Sequence, residues 1–446
     1  MAATFFRVEG LASRAARVGC SPLIIFVRGA RQLLTLRGRS PRRGIELSDL
    51  GIISNGSILI DGEKINSVGS TRSIENRAEA RSAKVIDVTG KVVLPGFVDS
   101  HTRLLFNSGR LREFQARTVA EPSDIESARQ PVRQPPHSMR ARSPKVLELA
   151  AQRWLALFAA HGTTTLEARS GQGLDLASEV KALRVASRLD GRLLDVVGTF
   201  RVTRPESWDG GRDPAKIVEH LAEEFLPMIR QGTFASFCDV ECGPEAFSLA
   251  ECEQILRAAA RLGFRLRVGA NRKRHTRAIP LALELKASSV EHLQFVNESE
   301  IDFLADSSTI AILLPGAAWH ETSDRYPPAR GLIERGAAVA LASGFGSDLN
   351  PALSMPAILS LACREMKLTA AEAITAATIN AASAMDRAAS IGSLEPGKQA
   401  DLVVFDTADY REIPYYLGLN LCAMTIKRGK VIYPATARTD SLSPRL

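Results

Sequence analysis

The chain has 446 residues, 45% of them hydrophobic and 24% charged, with a formal net charge of +8. That is the make-up of a globular protein with a large core, and it excludes a disordered or fibrous chain. The basic excess is spread along the sequence, and no apolar run reaches the roughly 18 residues that cross a bilayer, so neither nucleic acid nor membrane is an expected partner.

Residues 1–22 hold Arg7, Arg14 and Arg17 against a single acid, Glu9. They read as a disordered basic extension, and the same composition suits a mitochondrial presequence. The six cysteines (Cys20, Cys238, Cys242, Cys252, Cys363, Cys422) form no C-x-x-C pair. They read as reduced thiols of a cytoplasmic protein, with mitochondria as the alternative location. From residue 23 to 95 the pattern is all-β. Short β-rich runs at 23–26, 51–53, 57–60, 64–68 and 84–88 are punctuated by Asn55-Gly56, Asp61-Gly62 and Thr89-Gly90, which read as turns.

Residues 94–106 then join a Pro95-Gly96 turn to an apolar strand ending in Asp99, Ser100, His101, Thr102 and Arg103. On a strand, i and i+2 share a face, so a second metal ligand beside His101 is expected at position 103. That position is Arg, which has no lone pair to donate. From Gly96 onward strands alternate with amphipathic helices. Candidate strands are 97–104, 163–168, 193–200, 235–241, 264–270, 288–292, 309–314 and 337–343. The 145–160 helix presents Val146, Leu149, Ala150 and Leu157 as its apolar face. The 214–231 helix presents Ile217, Leu221, Phe225 and Ile229, with Pro227 expected to disturb its last turn. Ser248 with Glu251 and Thr369 with Glu372 read as capping boxes. Residues 121–143, rich in Pro and Arg, read as a long exposed loop. Eight such units predict an α/β fold, a (β/α)₈ TIM-like barrel over 96–386, with its chemistry at the C-terminal strand tips. The barrel is inserted in a small β-sandwich built from 23–95 and 387–446.

Leu94-Pro-Gly-Phe-Val-Asp-Ser-His101 and residues 391–406 resemble the opening and closing signatures of the amidohydrolases. More narrowly, His161-Gly-Thr-Thr-Thr-Leu-Glu167, Ser170-Gly-Gln-Gly-Leu-Asp175, Leu313-Leu-Pro-Gly-Ala317, Tyr326-Pro-Pro-Ala-Arg330 and Leu353-Ser-Met-Pro-Ala-Ile358 resemble imidazolonepropionase. The resemblance implies a zinc- or iron-dependent hydrolase of histidine degradation that opens the ring of 4-imidazolone-5-propionate to N-formimino-glutamate. It also implies residue roles. His101 is a retained metal-ligand position, and His292 a retained proton- or ring-handling position. Arg110 is the substrate-carboxylate position, with Gln172 and Phe200 standing at substrate-side positions. The remaining ligand and catalytic positions hold Arg103, Gly269, Arg272 and Gly344, and Asp348 is the one acid placed to rebuild the site.

These substitutions lead us to expect a pseudoenzyme with no metal bound, holding a small carboxylate through Arg110. An active hydrolase of cyclic amides or amidines with a rebuilt site, and a binding or scaffolding subunit, stay open as alternatives. So does assembly as a homodimer. Arg103 and Arg272 either draw anions into the pocket or point outward into solvent.

Overall fold

The computed structural model describes residues 24–106, 111, 137–171, 175–203, 214–243, 246–346 and 350–434. The 1–22 extension, Arg110, Gln172, Asp348 and residues 121–136 of the expected loop lie outside this set.

Two sheets carry the architecture. The first takes strands from both chain ends: β1 (Ile24–Leu34), β2 (Ile52–Asp61), β3 (Lys64–Ser70), β4 (Lys84–Asp87) and β5 (Val92–Pro95) from the front, and β14 (Leu402–Phe405), β15 (Cys422–Lys427) and β16 (Lys430–Tyr433) from the back. Their order is β16-β15-β14-β5-β1-β2-β3, with β4 also on β1. The sheet has its own apolar cluster, including Val27, Leu33, Ile58, Ile60, Val93, Leu402 and Ile426. Asp61-Gly62 is a hairpin turn as expected. Asn55-Gly56 is not: β2 runs straight through it. Asn55 takes a left-handed φ of 48° beside a register shift in the β1–β2 pairing between Val27 and Ala30. The turn-forming residues here make a bulge.

Gly96 is the passage from this sheet to the barrel. Its N–H donates to Asp401 O, and a Cβ there would lie 2.2 Å from Thr164 Cγ2. The barrel follows as eight parallel strands: β6 (Phe97–Asp99), β7 (Thr163–Arg169), β8 (Asp195–Val202), β9 (Phe237–Glu241), β10 (Arg265–Ala270), β11 (Ser289–His292), β12 (Ile310–Leu313) and β13 (Val339–Leu341). Each falls within a segment expected from the sequence or overlaps it. The ring is drawn together where Thr102 bridges Phe345, with Arg103 N donating to Phe345 O at 2.7 Å.

The helices that wrap the barrel correct two expectations. In Pro144–Ala160 the buried stripe is Leu147, Ala151, Leu155 and Phe158. Val146, Leu149 and Leu157 are exposed instead. This sequence is apolar on two faces, and the bulkier one, carrying Phe158, packs inward. The helix from Pro214 does bury Ile217, Leu221, Phe225 and Ile229. It reaches Pro227 by widening into a π-turn at Leu221–Phe225, after which Leu226–Gln231 restarts with proline in its first turn, where the missing N–H costs nothing. Both capping boxes form. The helix after Thr369 ends at Ala376, however, and a second begins at Ile379. Residues 137–141 of the expected loop are helical. Among the described residues no helix is long and apolar enough to cross a membrane.

Candidate functional site

Strand alternation sets the barrel interior. Its lower part is apolar, with Val98, Val197, Phe237, Ile312, Ala340 and neighbours in one buried cluster. Above this, alternate positions turn charged: Glu167 and Arg169 on β7, Arg201 on β8, Asp239 and Glu241 on β9, Arg267 on β10 and Glu291 on β11. Most of them are almost completely withdrawn from solvent.

Arg169 is the hub. Its Nε is paired with Glu167. Its Nη1 lies 3.0 Å from Asp239 Oδ2 and 2.6 Å from Glu291 Oε2, and its Nη2 is paired with Glu291 Oε1. Burial opposes its charge, yet Glu167, Glu291 and Asp239 together hold it well above its ordinary pKa. Arg267 supports the same acids from β10. Its Nε is 3.1 Å from Glu167 Oε1, its Nη1 and Nη2 donate to the carbonyls of Ser100 and Ala384, and its guanidinium stands 4.2 Å from the Phe237 ring centroid. Burial raises the Glu167 carboxyl. Glu291, although burial opposes ionisation there too, is held well below its usual range by Arg169 and by His101.

His101 is fully buried, its Nδ1 2.8 Å from Glu291 Oε2. Burial and Arg169 depress its pKa well below the ordinary value. The His292 ring lies edge-on to it, 6.0 Å between centroids. Burial, then Arg272, lowers His292 to about 3, so its imidazole is neutral. His292 and Leu293 have φ of +76° and +67°, a strained conformation of the kind found at sites. Nearby Asp99 is wholly buried and pushed up to about 7 by that burial. Its Oδ1 accepts from Ser343 N at 3.0 Å, and its Oδ2 has no partner.

Towards the mouth, Arg201 pairs with Asp239 Oδ2 at 3.0 Å and with Glu241, and Arg272 spans Glu241 and Glu321. Burial raises Glu241, but Arg201 and Arg272 outweigh it and hold the carboxyl far below its usual range. Burial and the adjacent Arg201 push the Arg103 guanidinium well down. The outward-pointing alternative for Arg103 and Arg272 is therefore overturned. Arg103 is 6% exposed, and Arg272 is locked between two acids.

His101, Arg103, Gly269, Arg272, His292 and Gly344 all come to the C-terminal end of the barrel. Phe200 does not belong with them. It packs in the apolar cluster outside the strands, with Leu183, Ile217 and Leu221, because its neighbours Thr199 and Arg201 take the inward positions of β8. Arg110, Gln172 and Asp348 lie outside the described residues. His275 pairs with Glu300 and His220 with Glu224. Reading from sequence missed the hub itself. Its trace is there as charges two apart within apolar strands: Glu167-Ala-Arg169, Asp239-Val-Glu241 and Arg265-Leu-Arg267.

The position-specific pattern of the amidohydrolase family matches residues 105–433. The chain is 39% identical to an imidazolonepropionase of Geobacillus kaustophilus, over 92% of this chain and 97% of that one. It is 36% identical to an imidazolonepropionase of Shouchella clausii, over 92% and 93%. In architecture it is similar to the guanine deaminase of E. coli, with a TM-score of 0.66, 15% identity and coverage of 92% and 100%. A zinc-bound adenosine deaminase from Xanthomonas campestris gives a TM-score of 0.65 at 17% identity, over 92% and 93%.

Proposed function

Since the chain belongs to the imidazolonepropionase family of amidohydrolases, we propose that it is a non-hydrolytic member, one whose barrel holds a small carboxylate where relatives carry out chemistry. The observation that carries this reading is Arg169, a guanidinium bonded to Glu167, Asp239 and Glu291 at the barrel centre.

The physical argument concerns donors. Metal-assisted hydrolysis needs about three protein ligands and an open position for water, whose pKa the ion brings to ~7. Here His101 has its Nδ1 against Glu291. Its expected partner is Arg103. Gly269 offers no donor, and a Cβ there would sit tightly against the Glu241 stem, 3.1 Å from its Cγ. Gly344 offers no side-chain donor where the resemblance places an Asp, and its φ is +66°. Among the described residues no three His, Cys, Asp or Glu side chains are grouped to hold a metal ion. A metal ion 4 Å from one of these guanidiniums meets a repulsion of ~4 kcal/mol per unit charge at an effective dielectric near 20. These described residues do not fit a zinc or iron centre. What they do fit is a carboxylate, since guanidinium forks at the mouth already hold two of them.

The test is elemental analysis of protein purified without chelator, together with a ring-opening assay on 4-imidazolone-5-propionate before and after adding zinc or iron. We expect far less than one metal per chain and no turnover. Stoichiometric, tightly held metal, or ring opening that a chelator abolishes, sinks the proposal.

A further inference from the structure

Arg272 stands at the tip of β10 between two acids of different character. Glu241 is a fixture: Arg201 grips it from one side, Arg272 Nη1 lies 3.5 Å from its Oε1, and its stem lies against Gly269. Glu321 comes from the rim. It is the residue that ends the helix Pro315–His320, its side chain is 25% exposed, and it pairs with Arg272 Nη2.

Donor capacity is left over around this pair. The Nε atoms of Arg201 and Arg272 and the Nδ1 of His292 are buried with no hydrogen-bond partner. A guanidinium N–H left unsatisfied costs about 1–3 kcal/mol, and the two Nε groups lie on arginines that share Glu241, so both can serve one incoming acceptor. The approach is basic. After Asn271 the loop runs Arg272-Lys273-Arg274-His275-Thr276-Arg277. Asn271 pins it, accepting from Thr276 N at 2.8 Å and donating to Glu300 Oε2 at 2.8 Å. A positive loop pinned at the end of the barrel raises the local concentration of small anions.

We propose that a small carboxylate binds at Arg272 by displacing Glu321, its oxygens taking the spare Nε–H donors of Arg272 and Arg201 beside the neutral His292 ring. The inference rests on the carboxylate-binding reading of the barrel and deepens it by naming the site. The class of ligand follows from the present occupants. The guanidinium that must be satisfied already holds carboxylates, whose two oxygens match its planar fork. Exchange leaves Arg272 facing a carboxylate as before, and Glu321 needs only to swing towards solvent, to which its side chain is already 25% exposed.

Calorimetric titration with glutarate tests this on the whole chain. Glu321 lowers the apparent affinity by the fraction of molecules in which it occupies Arg272, so E321Q is expected to bind glutarate about tenfold tighter than the wild type. R272M is expected to lose binding, and R272K, which keeps the charge but not the fork, serves in its place if R272M does not fold. E253Q removes a negative charge from an outer helix and is expected to match the wild type. Equal affinity in E321Q and the wild type overturns the exchange. So does full binding in the Arg272 variants, or no glutarate binding to E321Q. Tighter binding of inorganic phosphate than of glutarate to E321Q overturns the ligand class. Metal content measured on the same samples bears only on the non-hydrolytic reading, while the ratio of E321Q to wild type decides the site.

Discussion

Replacing Arg169 with Met would leave the buried carboxyls of Glu167, Asp239 and Glu291 facing one another without a cation. Breaking a buried ion network from one side costs about 3–5 kcal/mol, so R169M is expected to lose that much in urea unfolding and to recover part of it when the acids are protonated below pH 5. An R169M protein as stable as the wild type at pH 7 would show that the hub carries no such charge. Asp99 makes a separate prediction, with the opposite sign from the usual carboxylate. Its pKa rises from 3.8 to about 7 on folding, so between those values the native state binds more protons than the unfolded state. Its contribution is therefore complete below about pH 4 and falls away as the pH rises to about 7. D99N, which cannot ionise, is expected to gain stability relative to the wild type between pH 5 and pH 7.5. A flat difference across that range would contradict the buried, protonated carboxyl. At this scale the identities Arg103, Gly269 and Gly344 could be read directly, and the resemblance supplied the expectation that ligands belong there. The sequence did not disclose Arg169, because whether a charged strand residue faces the lumen or the helices depends on the register of the whole ring. A slip of one residue on β8 is what exchanged Phe200 for Arg201.

Elements were legible where one signal dominated. The capping boxes at Ser248 and Thr369 are local hydrogen-bond patterns, and both form. S248A is expected to cost about 1 kcal/mol in urea unfolding, with no change in far-UV circular dichroism. Competing signals were not resolved by pattern alone. The Pro144–Ala160 helix is apolar on two faces, and only packing against β7 and its neighbours decides between them. Asn55-Gly56 suits a tight turn and a bulge equally well. The junction at Gly96 carries a sharper expectation. A methyl group there meets Thr164 at 2.2 Å. The forced shift at the entry to the barrel is expected to cost about 1–3 kcal/mol in G96A, read as a lower thermal midpoint. An unchanged midpoint would mean that β5 and β6 can part without strain.

For the molecule as a whole, the alternation of strands and helices was enough to give a barrel with a sheet made from both chain ends. What joins the two was not visible, because its members are far apart in sequence. Lys427 on β15 lies 2.8 Å from Asp195 at the foot of β8 and 2.7 Å from Asp401, and Arg428 and Gln399 bond to Asp195 as well. Lys427, Asp195 and Asp401 are buried, while Gln399 and Arg428 are partly exposed. K427M leaves buried Asp401 without its cation and Asp195 with only Arg428 and Gln399, and is expected to cost about 3 kcal/mol. Because the seam ties sheet to barrel, the wild type is expected to unfold in one transition, with tryptophan fluorescence and circular dichroism superimposable. K427M is where the two signals should begin to separate.

Gly269 has a consequence for the order in which this interior can be rebuilt. A side chain begun at 269 on β10 would press on the Glu241 stem, 3.1 Å away, and Glu241 is in turn held by Arg201 and Arg272. A histidine introduced at 269 alone meets that stem. Shortening Glu241 first leaves two guanidiniums facing each other across the gap. Either single step goes downhill in stability before any donor atom is gained, so the present interior behaves as a ratchet. An engineer who wants a metal in this barrel has to change residues 241, 269 and 272 in one step, and begin from a stabilised parent.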